Sequence, residues 1–434
     1  MNLSKTQLAI VAATGAIFFI FILMILGVLP GLKNASNDPT KVKASISFWG
    51  IGDTADAYAG AFAAFKAIYP NVAINYRGFT DQNSYENSIL NALASNQGPD
   101  IFMIPNTDLP KNLNKIVPAP SALASPIQLG QLFPQVVSQD FVYQNEVFAL
   151  PLSVDTLALI YNRSLFDQAA IPLPTNWQGW NDFLSAVPAL VKKDSAGNIV
   201  QAGAAIGGGN DNIDNANDIL YLLMLQSGAK MSDNKTGNVS LNSSAGTQAL
   251  NFYTQFSNPS SNAYTWNASM PDALDAFSQG KSAMTFDYAS QLPQIKSRNG
   301  FLNFEIAPMP QPNNASTSIA YPSYYGYVVS RESKNQSLAW TLITSMTTNG
   351  TSAKSYLQAT QKPPALDSLI YQYKDDPVLG AFARQALVAQ SWYQFNSNFI
   401  DQSVSAMISS VVGGKSRISD ALNQAESAIN QSPR

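Results

Sequence analysis

Apolar positions along this 434-residue chain recur in two rhythms, and their succession predicts strands and helices in turn. Ile46-Ser-Phe-Trp49 reads as a first strand, closed by the turn residues Gly50-Ile-Gly52. Tyr58, Ala61, Phe62, Phe65 and Ile68 then repeat at helical spacing until Pro70 stops the helix. Val72 to Tyr76 alternates as a second strand. Tyr85, Ile89 and Leu93 predict a second helix, broken at Gly98-Pro99, and Asp100 to Ile104 predicts a third, buried strand. Strand, helix, strand, helix, strand implies right-handed crossovers and mainly parallel sheets flanked by helices.

Phe148 to Asn162 carries two short apolar runs with one carboxylate, Asp155, between them. Both runs predict buried strands, with Pro151 confined to an edge or bend. A carboxylate at such a break is either satisfied by internal partners or pointed into a cleft. Left buried and unpaired it would cost roughly several kcal/mol. Further on, a polar stretch from Asn210 to Asp218 opens an apolar helix, Ile219 to Leu225. That stretch lacks the spacing and terminal Glu of a calcium loop, so capping and cleft lining are its expected roles. Gly207-Gly-Gly209 lacks the Gly-Lys-Ser/Thr of a phosphate loop and reads as a flexible turn. Pro271 to Gly280 predicts a helix and Lys281 to Phe286 a strand. Tyr321 to Ser330 predicts a return strand, and the remaining chain is mostly helical.

The N-terminus changes the picture. Leu8 to Leu29 is an uncharged apolar run, and about 20 such residues span roughly 30 Å as a helix. It exceeds the roughly 7–15-residue core of a signal peptide, so an uncleaved anchor is favoured over a cleaved leader. Residues 1–7 are then cytoplasmic, since Lys5 precedes the run, 8–30 form a transmembrane anchor and 31–41 a linker. The rest of the chain lies outside the cell.

Composition removes whole classes of chemistry. The chain has no His and no Cys, which excludes imidazole bases, His-ligated zinc, thiol nucleophiles and disulfides. Any catalysis would rest on carboxylate, Lys, Tyr or Ser groups. With 25 basic against 28 acidic side chains and no basic stripe, nucleic-acid binding is not expected. No metal or cofactor is expected either.

Several of these segments together resemble the extracellular solute-binding proteins of family 1, the maltose-binding-protein-like receptors that deliver ligands to ABC importers. The resemblance rests on Trp49-Gly50 closing a strand, Phe65 through Tyr69-Pro-Asn-Val72, Gly98-Pro-Asp100, Tyr143 to Asn162, and Phe277-x-x-Gly280-x-x-Ala283-Met284. It covers Ser45 to Gln431. Where the family often has an aromatic after the third strand this chain has Ile104, and Asp287-Tyr288 stands where Gly and Trp are usual.

The resemblance implies a two-lobe periplasmic-binding-protein-like fold of type II. Lobe 1 would comprise residues 42–153 and 320–375, and lobe 2 residues 154–319 and 376–434. It implies a monomeric, non-enzymatic receptor for a small polar solute of saccharide type, partnered by an ABC permease. Carried over by position, the ligand contacts are Trp49, Asp53, Asn106, Thr107 and Asp155, with Asp218, Tyr288, Tyr324, Tyr325 and Trp392 facing them. Trp49 could equally be core, and Asp53 could equally cap the following helix. Three other readings stay open: a glycan-acting enzyme using paired carboxylates, a ferric-ion receptor using Tyr324 and Tyr325, and a sensor without a permease.

Overall fold

The computed structural model describes residues 38–233 and 236–433. The Leu8–Leu29 run and most of the expected linker lie outside these residues. No helix among the described residues is long and apolar enough to cross a membrane. Residues 38–44 and 66–73 form a small unit of their own, in which the Asn71 amide donates to the Thr40 carbonyl at 2.6 Å. The larger unit, 45–65 and 74 onward, holds the rest of the described residues.

The first sheet is built from β1 (Ala44–Ile51), β2 (Val72–Phe79), β3 (Ile101–Pro105) and β4 (Ile116–Val117), with a late strand inserted between β3 and β4. Helices Ala59–Ile68 and Gln82–Ala94 make the crossovers, each bounded as the apolar spacing predicts. Asp81 caps the second by accepting from the Ser84 amide. Phe48 anchors the packing on this sheet, edge-on to Tyr58 at 5.2 Å and to Tyr327 at 5.6 Å.

The Phe148–Asn162 segment then carries the chain out of this sheet. Asp155–Thr156 (β5) and Ala158–Asn162 (β6) are buried, and β6 forms the centre of a second sheet between Met284–Asp287 (β7) and Phe304–Ala307 (β8). The return is Pro322–Ser323 (β9), paired with β5, followed directly by Tyr325–Ser330 (β10), which lies between β3 and β4. A third passage is marked by the bridges Ser153 to Pro364 and Ala320 to Ala389.

The expectation of mainly parallel sheets is corrected here. β1 and β3 are parallel, but β10 runs antiparallel to β3, and β6 is antiparallel to both neighbours. A strand buried on both faces shows the same continuous apolar run in either arrangement, so the pattern in Ala158–Tyr161 could not tell them apart.

The second sheet carries the larger core. Phe183, Leu220, Tyr253, Phe256 and Trp266 are all without solvent exposure, and such side chains contribute about 1.5–3 kcal/mol each on burial. Gly207-Gly-Gly209 lies outside helix and strand, as a turn should, and packs against this core. A Cβ on Gly208 would lie 2.7 Å from Asn212 and 2.8 Å from Trp266, and Gly207 holds φ +88°.

Candidate functional site

Between the two sheets lies a cavity of about 300 Å³. Met103 of β3, Tyr325 and Tyr327 of β10, Tyr356 and Lys362 form one wall. Asn215, Asp218, Tyr288, Ser290 and Gln291 form the other. Leu152, Ser153, Asp155, Ser323 and Tyr324 close its floor, where the chain passes between sheets.

Asp155 satisfies both alternatives that its sequence context allows. Its carboxylate accepts from the backbone amides of Thr156 at 2.9 Å, Ala289 at 3.0 Å and Ser290 at 3.0 Å. Ala289 and Ser290 begin a single 3-10 turn, whose unpaired N–H groups seek an acceptor, and a remote carboxylate supplies it. Burial pushes the carboxyl up to about 6, against the lowering effect of the three amides and of Lys362.

Asp218 is different. It sits in the first turn of the helix Ala216–Gln226 and accepts the Tyr288 hydroxyl at 2.7 Å. Burial raises it to about 7, with nearby Asp401 adding to the rise and the Tyr288 bond opposing it. Asn215 does not cap that helix through its side chain but donates to Asp287 at 2.9 Å. Asp287 too is raised to about 7 by burial, tempered by that bond and by the Tyr288 amide.

On the opposite wall Lys362 meets Asp53 at 2.7 Å. The same carboxylate accepts from Tyr356 at 2.7 Å and from Tyr58 at 3.3 Å, and Tyr58 in turn shares a hydrogen bond with Tyr327 at 3.0 Å. Asp53 therefore stands behind the cavity wall, and it does not cap the following turn, whose cap position is Thr54. Trp49 packs under the Arg77 guanidinium at 4.6 Å, beside Phe79, and does not line the cavity.

A smaller cavity of about 130 Å³ takes three of the other candidates, Asn106, Thr107 and Trp392. Asp140 is its polar centre. It accepts from Asn106 at 3.0 Å, from Tyr324 at 2.7 Å and from Ser391. Burial raises the Asp140 carboxyl to about 6 against these bonds. Trp392 stacks edge-on to Tyr221 at 5.2 Å. The structure thus brings Asp155, Asp218, Tyr288, Tyr324 and Tyr325 together and separates the rest. Lys362, Tyr327, Tyr356 and Asn215, absent from the sequence-based set, complete the main cavity; no local motif marks them.

The two adjacent tyrosines do not form a metal pair. The Tyr324 hydroxyl donates to Asp140 and the Tyr325 hydroxyl to Gln82 at 2.8 Å, so the phenols diverge. Burial raises the Tyr325 phenol to about 12 and Tyr324 well above its ordinary value, which opposes phenolate ligation. Among the described residues no cluster of three acidic, His or Cys side chains could hold a metal ion.

The model of the bacterial extracellular solute-binding proteins matches residues 51–353. The chain belongs to that family. Solved structures of similar architecture include three solute-binding proteins. One is a cyclic α-maltosyl-1,6-maltose binding protein from Arthrobacter globiformis, 16% identical, with 90% of this chain and 98% of that one covered at a TM-score of 0.74. A second is the sugar-binding protein MalE of Xanthomonas citri, at 18%, 89%, 96% and 0.72 in the same order. The third, an ABC transporter solute-binding protein from Thermotoga lettingae bound with α-D-tagatose, stands at 18%, 90%, 99% and 0.70. At such identities the likeness speaks for the two-lobe fold. A comparison with curated protein sequences finds no match. In this solute-binding protein the cavity lies where both sheets contribute walls, and its tyrosine faces and carboxylates suit reversible binding of a polar ligand.

Proposed function

We propose that this solute-binding protein is the extracytoplasmic receptor of an ABC importer, a monomer without cofactor that carries a saccharide in the cavity between its sheets. Its tether is the apolar run at residues 8–30, and its lobes divide into 42–153 with 320–375 and 154–319 with 376–434. The observation that carries the reading is the wall composition: Tyr288, Tyr325 and Tyr356 offer ring faces, and Asp155 and Asp218 offer hydroxyl acceptors, from both sides of one cavity. Sugars need both, because a pyranose presents an apolar face edged with hydroxyls. Family membership supports the receptor role, and relatives of the same fold carry sugars in their names.

Closure is the mechanism. A ligand touching both walls stabilises the closed arrangement by its differential affinity, and the permease reads that state. Small-angle scattering during saccharide titration tests this: a binding sugar should lower the radius of gyration, and a folded protein with no response to a broad panel would sink the reading.

A second reading draws on the same pair of carboxyls. Asp155 and Asp218, both raised toward neutrality in one cavity, are the groups a glycoside hydrolase would use. It predicts reducing-end release from oligosaccharides, abolished by Asp155→Asn. A receptor releases none.

A further inference from the structure

The cavity's hydrogen-bonding groups are unevenly committed. Tyr288 has given its proton to Asp218, Tyr325 to Gln82 and Tyr356 to Asp53. A phenol oxygen that has donated its single proton can only accept from a ligand. Lys362, the one cationic side chain among the described residues lining the cavity, is already held by Asp53 at 2.7 Å. What faces the interior is therefore dominated by acceptors and aromatic faces.

Charge is uneven in the same sense. Asp53 and Lys362 cancel on one wall and the Lys362 charge also reaches Asp155 on the floor, whereas Asp218 on the other wall has no cation beside it among the described residues. Asp218 receives a single phenol hydrogen bond, which leaves its second oxygen for a ligand. A desolvated carboxylate without a counter-charge is costly, and the rise of the Asp218 carboxyl to about 7 expresses that cost.

Resting on the saccharide reading above, we infer that the ligand is an amino sugar, whose ammonium group sits against Asp218 while its ring stacks on the tyrosines. An ammonium carries three donors and no acceptor, which matches an acceptor-rich wall. It also restores the missing charge, and it gains from nearby ring faces. Ser153, Ser290, Ser323 and Gln291 remain to serve the ring hydroxyls and ring oxygen. A neutral sugar would fill the same shape and leave the charge uncompensated. An acidic sugar would add to the repulsion.

The test is titration calorimetry of the full chain in detergent micelles with glucosamine and its β-1,4 dimer, against glucose, cellobiose and the N,N′-diacetylated dimer. The inference predicts that the amines bind at least about tenfold more tightly than their neutral counterparts. Asp218→Asn should erase that preference while leaving the unfolding temperature unchanged or higher. Asp155→Asn should narrow it in the same direction, a second reading should the first variant fail to fold. Equal or tighter binding of the neutral sugars overturns the amino-sugar inference and leaves the saccharide reading standing. Binding of another neutral saccharide with none of these amines does the same. No binding by any saccharide in a broad panel overturns both.

Discussion

The two walls of the cavity solve the problem of a buried carboxylate in opposite ways. On the first, Asp53 is closed into a circuit with Lys362, Tyr356 and Tyr58, each within 3.3 Å. On the second, Asp218 has one phenol for company, and on the floor Asp155 is held by three backbone amides, with Lys362 acting only from beyond ion-pair distance. Asp53 is 9% exposed and Asp155 6%, so burial does not separate them. Partners do. The circuit around Asp53 reads as framework, and the under-compensated carboxyls read as the working face.

The sharpest way to break this contrast is to open the circuit. Asp53→Ala leaves the Lys362 ammonium without its partner, and should cost roughly 3 kcal/mol in urea unfolding, toward the low end for a broken buried pair because Lys362 keeps some solvent contact. A loss under about 1 kcal/mol would remove Asp53 from the framework.

A somewhat smaller effect should appear in the pH dependence of stability. Asp218 and Asp287 rise to about 7 in the folded protein from an ordinary value of 3.8. As pH climbs, the unfolded chain gives up these protons first, so the folded state loses stability from about pH 4 until the folded carboxyls ionise near pH 7. Linkage allows at most about 4 kcal/mol per carboxyl across that window, and local opening that hydrates the carboxyls should cut the fall to about 1–2 kcal/mol. In Asp287→Asn the profile should be flatter by one carboxyl's share, and a profile identical to wild type would contradict the assignment.

Ligand affinity distinguishes the walls further. Asp155→Asn can keep the acceptor for the Thr156 and Ala289 amides but turns its NH2 on the Ser290 amide, so its stability should drop by about 1–2 kcal/mol. Its saccharide affinity should fall about tenfold or more by calorimetry. Unchanged affinity would move Asp155 to the framework side. The smallest effect belongs to Trp49→Phe. That side chain packs on Arg77 and Phe79 away from the cavity, so affinity should stay within about twofold and stability within about 1 kcal/mol.

The parts of this molecule that could be read from sequence are those in which local pattern and tertiary role coincide. The helix at Gln82–Ala94 and the strand at Ile101–Pro105 have clean periodicity and clear stops. Asp155 stood out because it interrupts an apolar run. The Asp53 circuit could not be read, since its ion-pair partner lies 309 residues away and nothing near Lys362 marks it. Trp392 was placed with Asp155 by a positional resemblance, and the structure puts it against Tyr221 beside the smaller cavity, a difference set by tertiary packing. The antiparallel second sheet escaped for a related reason. β6 finds its neighbours in Met284–Asp287 and Phe304–Ala307, more than a hundred residues on, and a strand buried on both sides carries no sign of their direction.

Hydrogen–deuterium exchange with and without a bound saccharide tests the central claim most directly. Protection should rise together in 153–156 and 323–325, at the floor, and in 215–218 and 288–291, on the second wall. Protection confined to 106–113 and 391–394 would place the ligand in the smaller cavity and contradict the account.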